Sequence, residues 1–228
     1  MITRMRTPPR RFKNRAAAGI ALAHELQQRV LQPPVIVLGL PRGGVAVAYE
    51  VARELGAPLD VLLVRKIGMP GQPELAIGAI ASGNIVVHEP RIEQEIPHLT
   101  ETFDSLVDAE RRELERRERV FRAGLAPLEL KSKTVILVDD GIATGSTMLA
   151  AIRAARKGNP IAITAATPVA SASALELIRA EADDVVIVRS PAMLFAISEW
   201  YEHFEQLEDT EVSRLLAMSR HNGSGSSS

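Results

Sequence analysis

Residues 134–140, TVILVDD, place four consecutive apolar residues, Val135 to Val138, immediately before two adjacent carboxylates. An unbroken apolar run of this length reads as a strand buried on both faces, the pattern of a parallel sheet covered by helices. Burying two neighbouring negative charges is costly, so Asp139 and Asp140 are expected at a strand end that meets solvent, a cation or a ligand. Four further runs share this character: VIVLG (35–39), LDVLLV (59–64), IAITAA (161–166) and DVVIV (184–188). Alanine- and leucine-rich amphipathic segments between them fit helices at 15–31, 44–55, 146–157 and 171–182. The alternation predicts an α/β fold with a mainly parallel five-stranded sheet flanked by helices.

Two stretches break the alternation. In AIGAIASGNIVVH (76–88), two short runs flank SGN, which predicts a hairpin. Residues 99–122 predict one long helix, with Glu113–Arg117, Glu115–Arg119 and Glu118–Arg122 at i,i+4 and Phe103, Leu106, Val107, Leu114, Val120 and Phe121 on its inner face. Its charges alternate in sign, as on a solvated helix face rather than a nucleic-acid arm. A net charge of −1 likewise gives no global attraction for nucleic acid. The absence of cysteine excludes disulfide and thiolate chemistry and fits a reducing compartment, so a cytoplasmic location is expected. No apolar run is long enough to span a bilayer, and the basic start lacks a secretory apolar stretch. One domain is expected over 1–218, with 219–228 a flexible tail or cloning scar.

After Asp140 comes GIATGST (141–147). Gly141 and Gly145 allow tight turns, Thr144, Ser146 and Thr147 add hydroxyls, and a helix starting near Ser146 points its free N–H groups at the loop. Such a loop is an anion cradle, most naturally for phosphate. It lacks the lysine of the GxxxxGK[ST] nucleotide loop, which disfavours a nucleoside triphosphatase. Paired carboxylates beside a phosphate cradle suit vicinal hydroxyls, bound directly or through hydrated Mg²⁺, and a phosphorylated ribose has that shape. LGLPRGG repeats the logic of strand, tight loop and helix start with Pro41, Arg42, Gly43 and Gly44.

VILVDDGIATGST resembles the phosphoribosyl pyrophosphate signature of type I phosphoribosyltransferases, and the likeness extends over about residues 10–215. The resemblance implies that Gly141, Ile142, Ala143, Thr144, Gly145, Ser146 and Thr147 hold the 5′-phosphate. Asp139 and Asp140 would hold the ribose diol and, through water, substrate-borne Mg²⁺. It makes Pro41–Gly44 the pyrophosphate loop, with a non-proline cis peptide near Arg42 and Gly43. It makes residues 64–80 a mobile loop and hairpin, from which Arg65 and Lys66 would stabilise the departing pyrophosphate. A hood built from 8–31 and 190–218 would hold the accepting base over a core of about 32–190. Its candidate residues include Phe12 and Arg15 in the first segment, with Phe195 the stacking choice and Trp200 also suited to core packing. The spacing 197, 200, 201, 204 fits one apolar helix face.

Taken together, the likeness implies transfer of the 5-phosphoribosyl group to a purine or pyrimidine base in nucleotide metabolism or salvage, with phosphoribosyl pyrophosphate and the base as partners and a homodimer as one arrangement. Hypoxanthine–guanine enzymes carry a third acid where this chain has Ala143, which disfavours that acceptor pair. Glu74 could supply a carboxylate instead, while His88 and His98 receive no role. A ligand-sensing regulator on the same fold, and transfer or hydrolysis of another phosphosugar, remain as alternative activities.

Overall fold

The computed structural model describes residues 11–69, 71–83, 85–88, 99–123 and 126–223. Strands β1 (Val35–Gly39), β2 (Leu59–Val61), β6 (Thr134–Val138), β7 (Ala162–Val169) and β8 (Asp184–Arg189) form one parallel sheet in the order β2–β1–β6–β7–β8. β6 is buried at every position, and its side chains alternate between two cores. Ile136 and Val138 join Leu22, Val47, Val51 and Phe103 on one face, while Val135 and Leu137 join Met148, Ile152 and Ile178 on the other. Helices α1 (Arg15–Gln27) and α2 (Gly43–Leu55) supply the first face; α4 (Ser146–Lys157) and α5 (Ala172–Arg179) supply the second.

The strand expected over 59–64 divides. β2 ends at Val61, Leu62 and Leu63 are buried at the crossing, and β3 (Val64–Met69) opens a second, antiparallel sheet with β4 (Gln72–Ala81) and β5 (Ile85–His88). Both sheets bury the run, so the apolar pattern carries no mark of the change. The expected hairpin pairs Ile80 with Val86 and Ala81 with Ile85. Helix α3 (Leu99–Phe121) packs on β3 and β4, and α4 packs on β3, β4 and β5.

Other boundaries moved for local reasons. α1 stops at Gln27, with Gln28 and Arg29 N–H groups closing its last turn on Glu25 and Leu26 carbonyls, and a cis Pro33–Pro34 peptide follows. On α3, Phe103, Val107, Leu114 and Phe121 face inward, but Val120 is exposed. Glu113 meets Arg117 at 2.9 Å. Arg122 instead pairs with Asp60 at 3.0 Å, and Glu118 accepts the Gly83 N–H at 3.2 Å, because partners on neighbouring elements displace the i,i+4 contact. Helix α6 (Asp209–Gly223) packs on α2 and α3 and runs into the stretch expected to be a flexible tail. Among the described residues no helix is long and apolar enough to cross a membrane.

Candidate active site

The sheet order reverses between β1 and β6: the chain steps outward from β1 to β2 and later builds β6, β7 and β8 on the other side. Loops leaving the carboxyl ends of strands at such a switch point diverge and open a crevice. Gly39 pairs with Val138 at the end of both strands, and Leu40 N–H donates to Val138 O at 2.8 Å. The two loops singled out by sequence, Pro41–Gly44 and Asp139–Thr147, therefore face each other across this crevice. The Pro41–Arg42 peptide is cis, one bond before the expected place. Gly43 lies so close to the acids that a Cβ would stand 1.8 Å from Asp140 Oδ2.

The acid pair is unequal. Asp139 Oδ1 accepts the Asp140 N–H at 2.8 Å. Burial, and then the charge of Asp140, push the Asp139 carboxyl well above its ordinary range. Asp139 keeps some surface contact, but hydration of a charge needs more than one layer of water, and the surrounding protein withholds it. Asp140 has a cation of its own: Arg15 Nε donates to Asp140 Oδ2 at 2.7 Å, with the two side chains 11% and 15% exposed. Arg15 also donates to Glu205 O at 2.8 Å and stacks 3.8 Å over the Phe204 ring. Tyr201 O–H donates to Asp140 O at 2.5 Å, and burial followed by the Asp140 charge raises the phenol's pKa. Sequence placed Arg15 only in a covering segment; two adjacent acids needing a counter-charge were the signal for its role.

Past the acids, Gly145 takes φ +81° and turns the chain into α4 at Ser146, a conformation that favours glycine. Thr144 Oγ1 and Ser146 Oγ stand 3.0 Å apart at the helix start. Gly141 and Ala143 lie in the loop before them, and Thr147 is in the first turn of α4. Ile142 departs from the expected cradle. Its N–H donates to Val169 O at 2.9 Å, its carbonyl accepts from Ser171 N–H at 2.9 Å, and its side chain is buried. That amide is consumed in anchoring the loop to β7, so it is no phosphate donor.

The two basic residues of β3 separate. Lys66 Nζ lies 3.4 Å from Ser146 Oγ, whereas Arg65 pairs with Glu110 of α3. Consecutive strand residues point to opposite faces, so only one of them meets α4 and the loop 141–147. Arg42 Nη1 lies 4.0 Å from Asp209 Oδ1 at the start of α6.

The base-side candidates also separate. Phe195 is 78% exposed, while Trp200 packs against a cluster of Phe12, Ala18 and Tyr201 that Ile197 and Phe204 also join. The expected helix face is a single 3-10 turn, Ile197–Trp200, after which Tyr201 forms a bridge with Phe12. The four residues meet through this turn and bridge. Ile197 also closes on Gly141, where a Cβ would stand 2.3 Å from Ile197 Cγ2. His88 is exposed and stacks on Phe103 at 4.3 Å. The Glu74 side chain and His98 lie outside the described residues.

Among the described residues no three His, Cys, Asp or Glu side chains gather to hold a metal. Two carboxylates alone fit Mg²⁺ that arrives on substrate oxygens and keeps most of its own water.

The sequence profile of the phosphoribosyl transferase domain matches residues 11–199. This chain belongs to the type I phosphoribosyltransferases. The phosphoribosyltransferase chain is 41% identical over 209 residues to Rv0571c of Mycobacterium tuberculosis H37Rv, provisionally named a phosphoribosyl transferase. The match covers 90% of this chain and 46% of that protein, so the chain spans about half the length of the curated relatives it matches. The crystal structure of TT1426 from Thermus thermophilus is similar with 39% identity and a TM-score of 0.84, over 91% of this chain and 98% of that one. The phosphoribosyltransferase fold thus places the switch-point crevice, and within it the acid pair and both loops.

Proposed function

We propose that this domain transfers the 5-phosphoribosyl group from phosphoribosyl pyrophosphate to a ring nitrogen of a purine or pyrimidine base, releasing pyrophosphate, with Mg²⁺ bound through the substrate. The observation that carries this reading is the closeness of the two loops: Gly43 touches Asp140 at the switch point, with the α4 N-terminus and Lys66 beside them. The remaining amides of 141–147, the Thr144 and Ser146 hydroxyls and the α4 N-terminus hold the 5′-phosphate. Asp139 and the free oxygen of Asp140 accept the ribose hydroxyls. The Pro41–Gly44 backbone and Arg42 receive the pyrophosphate.

As the bond from C1 to pyrophosphate breaks, positive charge grows on the sugar and negative charge on the leaving group. Lys66 and Arg42 offset the second, and the acid pair beneath the ribose favours the first. Mg²⁺, when bound, neutralises the pyrophosphate oxygens. The base nitrogen forms the new bond to C1, and its proton passes to solvent. Arg65 is a positioning residue in this reading, tying β3 to α3.

The test is pyrophosphate release from phosphoribosyl pyrophosphate and Mg²⁺ across a panel of bases. We expect turnover with at least one base, and a loss of kcat/KM of at least about a hundredfold in Asp139→Asn/Asp140→Asn with the fold retained. An active double variant would remove the acid pair from the mechanism.

A further inference from the structure

The loop 141–147 is fastened by one short stretch, residues 169–171, that joins β7 to α5. Ile142 N–H donates to Val169 O and Ser171 N–H donates to Ile142 O, both at 2.9 Å, so a parallel bridge persists beyond the sheet. The Ser171 hydroxyl adds a further bond, to Ala143 O at 2.6 Å. It also lies 3.3 Å from Ser173 Oγ, but a carbonyl can only accept, so the shorter contact takes the Ser171 hydrogen. As the N-cap of α5, the same oxygen accepts Ala174 N–H at 3.1 Å. Ala174 in turn backs the turn at Gly145, where a Cβ would stand 3.3 Å from Ala174 Cβ.

Capping accounts for only part of this. Ser, Thr, Asp, Asn and Gly all serve at an N-cap, which needs at most an acceptor. Donation to Ala143 O needs a hydrogen, which an aspartate lacks. That bond has a directional consequence, because a trans peptide carries its C=O and N–H on opposite sides. The cis peptides among the described residues lie elsewhere, at Pro33–Pro34 and Pro41–Arg42. With the Ile142 and Ala143 carbonyls both held by Ser171, the N–H groups of Ala143 and Thr144 point the other way. Both residues are exposed, and neither N–H donates to a backbone carbonyl among the described residues. Two consecutive amides are thus turned toward solvent next to Thr144 Oγ1, Ser146 Oγ and the start of α4.

We propose that Ser171 is a positioning residue of the sugar site. By holding the Ile142 and Ala143 carbonyls it presents the next two amides to the 5′-phosphate as preset donors. The inference rests on the transferase reading for the sugar, and on the loop alone for the phosphate. The test is calorimetry on the full chain with ribose 5-phosphate and with inorganic phosphate. Pyrophosphate is titrated at saturating ribose 5-phosphate, so that it reports the other loop.

Ser171→Gly keeps an acceptable N-cap and removes the hydroxyl. It should weaken ribose 5-phosphate and phosphate by about tenfold, as when charge-assisted donors lose their alignment, and leave pyrophosphate within about twofold. Ser171→Thr keeps both the cap and the donor and should bind ribose 5-phosphate within about threefold of wild type. A role in stability alone would lower Tm without separating the ligands. Unchanged ribose 5-phosphate affinity in Ser171→Gly, an equal loss for pyrophosphate, or a Ser171→Thr as weak as Ser171→Gly would overturn the assignment. If circular dichroism shows that Ser171→Gly does not fold, Ser171→Ala is read by the same titrations. Phosphate that weakens with Ser171→Gly, while ribose 5-phosphate binds wild type no better than phosphate does, would uphold the positioning and strike at the transferase reading instead. A wild-type chain that binds neither would overturn both.

Discussion

Asp139 keeps its place although burial and the charge of Asp140 both oppose its ionisation. Folding gives no reason for an acid there, because an asparagine oxygen could accept the same Asp140 N–H. A carboxyl whose pKa is raised on folding contributes stability that is fully present below its unfolded value near 4 and is lost as pH rises through the folded value. Asp139→Asn should therefore gain thermal stability over wild type as pH increases from about 4, when both are melted in EDTA without ligand. A constant difference across pH would show that the carboxyl is not held above its usual range. Arg15 should act in the opposite sense. Arg15→Ala leaves Asp140 buried without its cation and should cost about 3 kcal/mol, read as a Tm drop of roughly 6–12 °C. Asp140 lies beside Gly43 as well, where any side chain must displace the acid or the loop. Gly43→Ala should consequently lower pyrophosphate affinity measured by calorimetry by at least about tenfold.

At the scale of the element, β3 shows how a strand sorts neighbouring residues. Lys66 faces the start of α4 at Ser146, and Arg65 faces α3. Lys66→Ala should lower kcat/KM for pyrophosphate release by about 10–100-fold with little change in Tm, as expected when a charge-assisted contact to the leaving group is lost. Arg65→Ala should act mainly on stability, by about 1 kcal/mol or less for a partly exposed pair, with a smaller effect on turnover. Reversed effects in the two variants would mean that β3 presents its other face during catalysis. The α4 N-terminus depends on the same kind of placement, because Ile142 spends its amide on β7 and thereby fixes where the turn at Gly145 begins.

Across the whole molecule, the crevice joins parts distant in sequence: β1, β6, the first turn of α1 and the segment around Tyr201 and Glu205 all reach Asp140. Ribose 5-phosphate at about a hundred times its Kd should stabilise the folded chain by roughly 2.7 kcal/mol, and hydrogen exchange should slow together in 11–27 and 196–205. Protection confined to the loop 141–147 would show that the covering layer is uncoupled from the sugar site. The parallel sheet, the two loops at strand ends and the acid pair were legible in sequence because apolar runs, glycines and paired carboxylates are local signals. The division of 59–64 between two sheets was not, since both sheets bury the run. Nor were the opposite directions of Arg65 and Lys66, the use of the Ile142 amide, the exposure of Val120 or the helix continuing through Gly223. Sequence by itself determined which elements form and which chemistry stands at their ends. Tertiary structure alone decided which charge answers which, with Arg15 against Asp140 and Arg122 against Asp60, because pairing depends on distances between segments that are far apart along the chain.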